Sequence, residues 1–244
     1  MDYGKLTAKH TRLRSISARH PNKRGEEIAR FGKPDTQERL TTFLELLSLH
    51  YLVHVIDGDD LALALVRSFA VFQTIHHSSS TRWSLPLENF RNAIGLRRHQ
   101  FDRAKQQLME SNELTHDVEG FIRTSYFRYQ SKASLEPLCE FTFYPALAKP
   151  LGYKAAAFFG WLAAMDRDLE AQGYFFHRPL GEIQAALGLS RFQLDQARKT
   201  LIDHHLMQER YWGIPAVREF RIKLDGLPAL LDQIDSQELS NGSR

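Results

Sequence analysis

Side chains able to bind a metal or move a proton occur in a few short clusters. The run DGDD places Asp57, Asp59 and Asp60 within four positions, His76–His77 and His204–His205 are adjacent imidazoles, and His116–Asp117 is a doublet of a base and a carboxylate. Spacing decides what each can do. Neighbouring side chains on a helix diverge by roughly 100°, so neither histidine pair is spaced to close on one ion. A His-Asp doublet serves metal-assisted phosphate hydrolysis from a helix, whereas LTHDV reads as a strand. The acidic run stands where a helix begins, and capping that helix is the plainer use of it. The phosphate-cradling GxxxxGK, the dinucleotide pattern GxGxxG and the nucleophile pattern GxSxG are missing from the sequence. These residues predict no catalytic centre, no cofactor and no metal.

A different chemistry is concentrated elsewhere. Arg97, Arg98, His99, Gln100, Arg103 and Gln106 crowd into ten positions, and Ser190, Arg191, Gln193, Gln196 and Lys199 form a similar group farther on. A guanidinium fork matches two acceptors on the edge of guanine and a carboxamide matches adenine, each good pair discriminating by about 1–3 kcal/mol. A plainer use stands beside this one. Arg98 and Asp102 are four apart, as are Arg191 and Asp195, the spacing of an ion pair on a helix surface.

The two groups are related by an internal duplication. Gly188 lies 93 residues after Gly95, and at that offset IGLRRHQFDRAKQQL (Ile94 to Leu108) falls on LGLSRFQLDQARKTL (Leu187 to Leu201) with seven of fifteen positions identical. The register extends without a gap to Pro86/Pro179 and Ala62/Ala155 upstream, and to Gly120/Gly213 and Phe127/Phe220 downstream. A period this long repeats whole domains, not the turns of a solenoid.

Each copy must position its group with the same local elements. In the first, Leu61 to Phe72 is predicted as an apolar helix, Leu87 to Ile94 as a short helix, and Arg98 to Met109 as a longer one with Phe101, Ala104 and Leu108 inward. Gly95 and Gly188 stand where two helices meet at a sharp turn. A hairpin follows, Leu114 to Val118 with Phe121 to Tyr129, matched in the second copy by Met207 to Tyr211 with Ala216 to Lys223. CEFTFY (Cys139 to Tyr144) alternates as a strand before the second copy's first helix.

This order of helices and hairpin, with LGLSRFQLDQARKTLIDHHLMQERYWGIPAVREFRI, resembles the winged helix-turn-helix modules of bacterial, plasmid and phage regulators and replication proteins. The resemblance implies a mainly α chain with small β-hairpin wings (α+β), two winged helix-turn-helix domains in tandem at residues 60–130 and 141–224, joined by a linker at 131–140. It implies a third helix lying in the major groove of duplex DNA. The expected DNA contacts are Arg97, Arg98, His99, Gln100, Arg103 and Gln106 in the first copy. In the second they are Ser190, Arg191, Gln193, Gln196 and Lys199, with Arg210, Trp212, Arg218 and Arg221 on the wing. Residues 86–108 carry +3 against +1 for residues 179–201, whereas the first wing (109–130) carries −2 and the second (202–223) +1. The first copy is therefore expected to read through its helix and the second to grip through its wing. Asp117 and Glu119 would repel phosphate at the first wing's tip. Phe192, outward on the second copy's third helix, suits a protein partner or a thymine methyl better than phosphate.

The remaining segments frame these modules. Residues 1–33 carry +6 and the rest of the chain −3, so a basic arm precedes a nearly neutral body. Residues 34–59 are expected as a helical extension that starts near Thr36, where Asp35 and Glu38 have capping-box spacing; Leu40, Phe43, Leu44, Leu47 and Tyr51 recur at helical spacing and are expected to pack on the first copy, with a homodimer contact through residues 36–56 as the alternative. Residues 225–244 read as a short helix and a disordered tail. One cysteine, Cys139, and the missing apolar leader and membrane span point to the cytoplasm. The function expected is sequence-specific double-stranded DNA binding as a transcriptional regulator, with plasmid or phage replication initiator and protein-interaction scaffold as alternatives.

Overall fold

The computed structural model describes residues 50–56, 58–76, 82–119, 124–130, 138–168, 174–223, 226, 229–230 and 233 of the 244. The basic arm at 1–33, the start of the expected helix at 36–49, the first wing's tip at 120–123, the linker at 131–137 and the tail at 234–244 lie outside the described residues. Within them the chain is an α+β fold of seven helices and small antiparallel sheets.

The elements run β1 (Tyr51–Val55), α1 (Leu61–His76), β2 (Trp83–Ser84), α2 (Leu87–Ile94), α3 (Arg98–Glu110), β3 (Leu114–Glu119) and β4 (Thr124–Tyr129). The second half repeats the order as β5 (Cys139–Phe143), α4 (Pro145–Leu151), α5 (Tyr153–Asp168), β6 (Phe176–His177), α6 (Leu180–Leu187), α7 (Arg191–Asp203), β7 (Met207–Trp212) and β8 (Val217–Ile222). Among the described residues the short helix α4 has no counterpart in the first half.

Tyr51–Val55 is a strand, which corrects the helical extension expected over residues 34–59 at these positions. Tyr51, Val53 and Val55 are buried while Leu52 is exposed, a period of two carried by β-branched residues. Tyr51, which continues a helical stripe in the sequence, is instead the first inward position of a strand. This strand pairs antiparallel with β5, Val53 opposite Phe141, so Cys139 and Glu140 also leave the expected linker for a sheet that joins the halves. On that part of the proposed dimer segment Tyr51, Val53 and Val55 are packed within the chain itself, while Leu52 stays exposed.

Each half packs its long first helix against its third helix and hairpin. The first ten residues of α1 include Leu61, Ala62, Ala64, Leu65, Val66, Phe69 and Ala70, all buried. Trp83, Phe90, Phe101 and Phe127 interlock beneath it, Phe90 meeting Phe101 edge-on at 5.0 Å and Trp83 stacking on Phe127 at 4.6 Å. Each buried ring of this kind contributes about 1.5–3 kcal/mol through apolar burial. β2 and β6 add a third strand to each hairpin, giving the orders β2-β4-β3 and β6-β8-β7.

The turn between the second and third helices of each half rests on glycine for two reasons. Gly95 has φ +72 and Gly188 φ +58, left-handed values that a side chain disfavours. A β-carbon would also lie 2.4 Å from Ala148 Cβ at Gly95 and 2.5 Å from the Asp59 carbonyl oxygen at Gly188. Each turn is thus pressed against the other half, just ahead of that half's long helix.

A buried ionic tie fastens α1 to the hairpin. Arg67 donates from Nε to Glu113 at 2.8 Å and bonds Asp59, with all three side chains at most 9% exposed. Burial works against the guanidinium's charge, but the two carboxylates more than offset it and raise its pKa.

Candidate nucleic-acid interface

The inward face of α3 is Phe101, Ala104 and Leu108, and geometry then fixes the outward one. Arg98, His99, Asp102, Arg103, Gln106 and Glu110 are exposed along it, and Arg97 is exposed just before it. Arg98 Nε stands 3.7 Å from Asp102 Oδ2 on a side chain 86% exposed, a solvated pair worth little and easily exchanged for another partner. Gln106 Nε2 donates to Glu110 Oε1 at 2.8 Å, also in solvent.

Two residues of this face are engaged with the start of a long helix. Arg103 bonds the Asp60 carboxylate, whose other oxygen accepts from Leu63 N–H at 2.9 Å and so caps α1. Gln100 is the third residue of α3; its Oε1 accepts from Arg97 N–H at 3.1 Å and its Nε2 donates to the Tyr153 hydroxyl at 2.9 Å. Both ends of the Gln100 amide are therefore spent on capping α3 and tying it to α5. A capping role, not a base-reading one, is what its position provides.

These contacts line a cleft of about 190 Å³ between the halves, bounded by Asp60, His99, Gln100, Arg103, Tyr153, Lys154, Gly188 and Gln193 among others. Burial raises the pKa of the Tyr153 phenol, and Asp60 adds to it. Burial and then the charge of Arg97 lower that of the Lys154 ammonium.

The second half uses the same positions differently. Ser190 Oγ accepts from Gln193 N–H at 3.4 Å and Gln193 Oε1 accepts from Ser190 N–H at 3.0 Å, a reciprocal box that starts α7. The S-x-x-Q spacing carries that signal in the sequence. Asp195 pairs with Arg198 and not with Arg191. Arg198 is buried on the flank facing β7, where its Nε and Nη2 meet Glu209 at 3.0 and 2.7 Å; this places it over Asp195 and leaves Arg191 in solvent. Gln196 and Lys199 are exposed, as is Phe192 at 70%.

On the second wing the expected cations are laid against aromatic rings. Arg210 bonds Glu219 at 2.8 Å and covers Phe175 at 3.9 Å and Trp212 at 5.0 Å. Arg221 covers Phe175 from 4.6 Å, and Arg218 lies over Tyr211 at 5.0 Å and bonds its hydroxyl. Stacking orders these guanidinium groups without cancelling their charge. Beyond them Tyr211, Trp212, Ile214 and Val217 form an exposed apolar tip.

The first wing departs from expectation at Glu119, which bonds Arg82 while Arg82 also covers Tyr126 at 4.1 Å. Half of the acidic charge expected to repel phosphate there is locally neutralised. His116 and Asp117 point to opposite sides of β3; His116 stacks on Phe127 at 4.7 Å, and burial lowers its pKa. The doublet does not converge on an ion. Among the described residues no group of three or more His, Cys, Asp or Glu is placed to hold a metal, and no helix is long and apolar enough to cross a membrane. No protein-family model matches this chain, and no curated protein matches it.

Proposed function

We propose that the chain is a tandem winged helix-turn-helix protein that binds duplex DNA sequence-specifically and acts as a transcriptional regulator. The observation that carries this reading is α3. It is a 13-residue helix following a glycine turn, held by the buried face of Phe101, Ala104 and Leu108, with Arg98, His99, Arg103 and Gln106 exposed on it and Arg97 exposed just before it. Planar donors on a rigid exposed helix are the equipment of base-edge recognition, and the second wing's stacked Arg218 and Arg221 supply phosphate contacts.

The test is selection of bound sequences from a random duplex library, followed by salt titration of the best and a scrambled duplex. The expected result is one preferred sequence and an affinity that falls steeply with salt. Binding to no duplex below about 100 μM at low salt ends the reading, since ordinary non-specific binding is tighter than that. Deleting the gene then separates roles: altered transcripts with normal replicon copying support a regulator, and lost copying supports an initiator.

A second reading, a protein-interaction scaffold, is favoured by Phe192 at 70% and Ile214 at 103% exposure in the second half. Such apolar side chains are costly to leave in water and find an apolar partner surface more readily than a phosphate one.

A further inference from the structure

Resting on the DNA-binding reading, we propose that Asp60 and Tyr153 are positioning residues for base recognition: Asp60 orients the Arg103 guanidinium, and Tyr153, reaching from the second half, fixes the first turn of α3 through Gln100. The two are counterparts under the 93-residue offset, each standing at the head of its half's long helix. One acts on the reading side chain and the other on the helix that carries it.

The geometry favours this assignment over a plain surface ion pair. Arg103 is 63% exposed, so its outer nitrogens stay accessible while Nη2 is held by Asp60. Asp60 is itself anchored, because its Oδ1 caps α1 at Leu63 N–H while Oδ2 holds Arg103. A guanidinium held at one edge by a fixed carboxylate presents a defined fork at the other, and bidentate recognition of guanine depends on that alignment. Tyr153 is half-buried and its hydroxyl meets Gln100, whose other end closes the start of α3, so a shift of α5 is transmitted to the reading helix. Base reading by the first half is in this way coupled to its packing on the second.

The test compares sequence preference for the full chain and for Asp60→Asn, Tyr153→Phe and Arg103→Ala, alone and with each of the first two combined with the third. Asparagine keeps the oxygen that caps α1 but offers Arg103 an amide in place of the carboxylate, and phenylalanine keeps the ring of Tyr153. The expected result is a loss of discrimination of about tenfold for D60N at the base position that R103A also relaxes. Binding to scrambled duplex and the salt slope should stay unchanged. In the R103A background D60N should have no further effect, whereas Y153F should still blur the preference. If D60N instead tightens binding to all sequences alike, Asp60 is only a repelling charge and the proposal falls; it falls equally if preference is unaltered in both variants. Failure of the unsubstituted protein to bind any duplex overturns the functional reading itself, a separate outcome visible before any variant is made.

Discussion

Replacing Gly95 with alanine tests how closely the halves are fitted. The left-handed φ of +72 costs a residue with a β-carbon about 1–2 kcal/mol. The added methyl group would lie 2.4 Å from Ala148 Cβ, which has no flexible end to swing aside, and such overpacking costs about 1–3 kcal/mol more. The two together predict a loss of about 2–5 kcal/mol, a large part of the roughly 5–15 kcal/mol that holds an ordinary domain folded. Only the steric part involves α4. Ala148→Gly, which alone costs about 0.5–1 kcal/mol in a helix, should therefore recover about 1–3 kcal/mol when combined with Gly95→Ala. Urea unfolding followed by tryptophan fluorescence and circular dichroism measures all three variants. Gly188→Ala is the internal control, because its β-carbon meets the Asp59 carbonyl oxygen at 2.5 Å, a backbone atom that no side-chain deletion removes. A cost below about 1 kcal/mol for Gly95→Ala, or strict additivity with Ala148→Gly, refutes the claim that the turn is pressed against the other half.

Three further outcomes follow from buried polar groups. Arg67→Met leaves Asp59 and Glu113 without their cation and should cost about 3–5 kcal/mol in urea unfolding, most of it recovered when D59N and E113Q are added. The Tyr51 hydroxyl is buried without a hydrogen-bond partner among the described residues, so Tyr51→Phe should be at least as stable as the parent. Burial also raises the Tyr51 pKa, so its contribution is intact below the ordinary phenol value of 10.0 and is lost as pH rises beyond it; the phenylalanine variant should lose stability less steeply there. Burial lowers the His116 pKa, so its contribution is present above the ordinary imidazole value of 6.5 and is lost as pH falls below it. His116→Phe keeps the stack on Phe127 and should flatten the fall in Tm between pH 7 and 5.

The second and third helices of the repeat were legible because each buries a stripe at helical spacing and a glycine marks the turn between them; the short α4 was not expected. Phe101, Ala104 and Leu108 give the inward face of α3 from sequence alone, and Gly95 and Gly188 mark the turns. The hairpins were legible through Phe127 and Phe220, inward at the same place in each copy. What could not be read is what depends on contact across the halves. Tyr51–Val55 joins β5 over a separation that no local pattern reveals, and its apolar residues suit a helical stripe as well as an alternating strand. Asp60 was legible as part of a helix-capping run, but its correspondence with Tyr153 escaped for a related reason: the offset pairs them, yet a carboxylate and a phenol share no identity for a comparison to register. Gln100 and Gln193 were legible as exposed polar groups, yet their capping spacing assigns them to the helix ends.

Two contacts between the halves are of the kind that an isologous dimer makes, though Gly95 meets α4, which has no described counterpart. A strand paired antiparallel with its counterpart, and two glycine turns each seated against the opposite half, are what a two-fold axis makes of two equal units. In a true dimer every substitution appears on both sides at once. In one chain it does not, and the two halves have used that freedom. The buried arginine that ties helices to hairpin comes from α1 in the first half, as Arg67, and from α7 in the second, as Arg198. At the 93-residue offset Arg103 corresponds to Gln196, His99 to Phe192 and Asp60 to Tyr153. A symmetric pair of reading helices would demand a symmetric site. Once one helix presents arginine and histidine where the other presents glutamine and an exposed phenylalanine, the two faces no longer select the same surface. The DNA site we expect for this chain is accordingly not a palindrome: it has one half-site specified through α3 and a neighbouring segment held through the second wing.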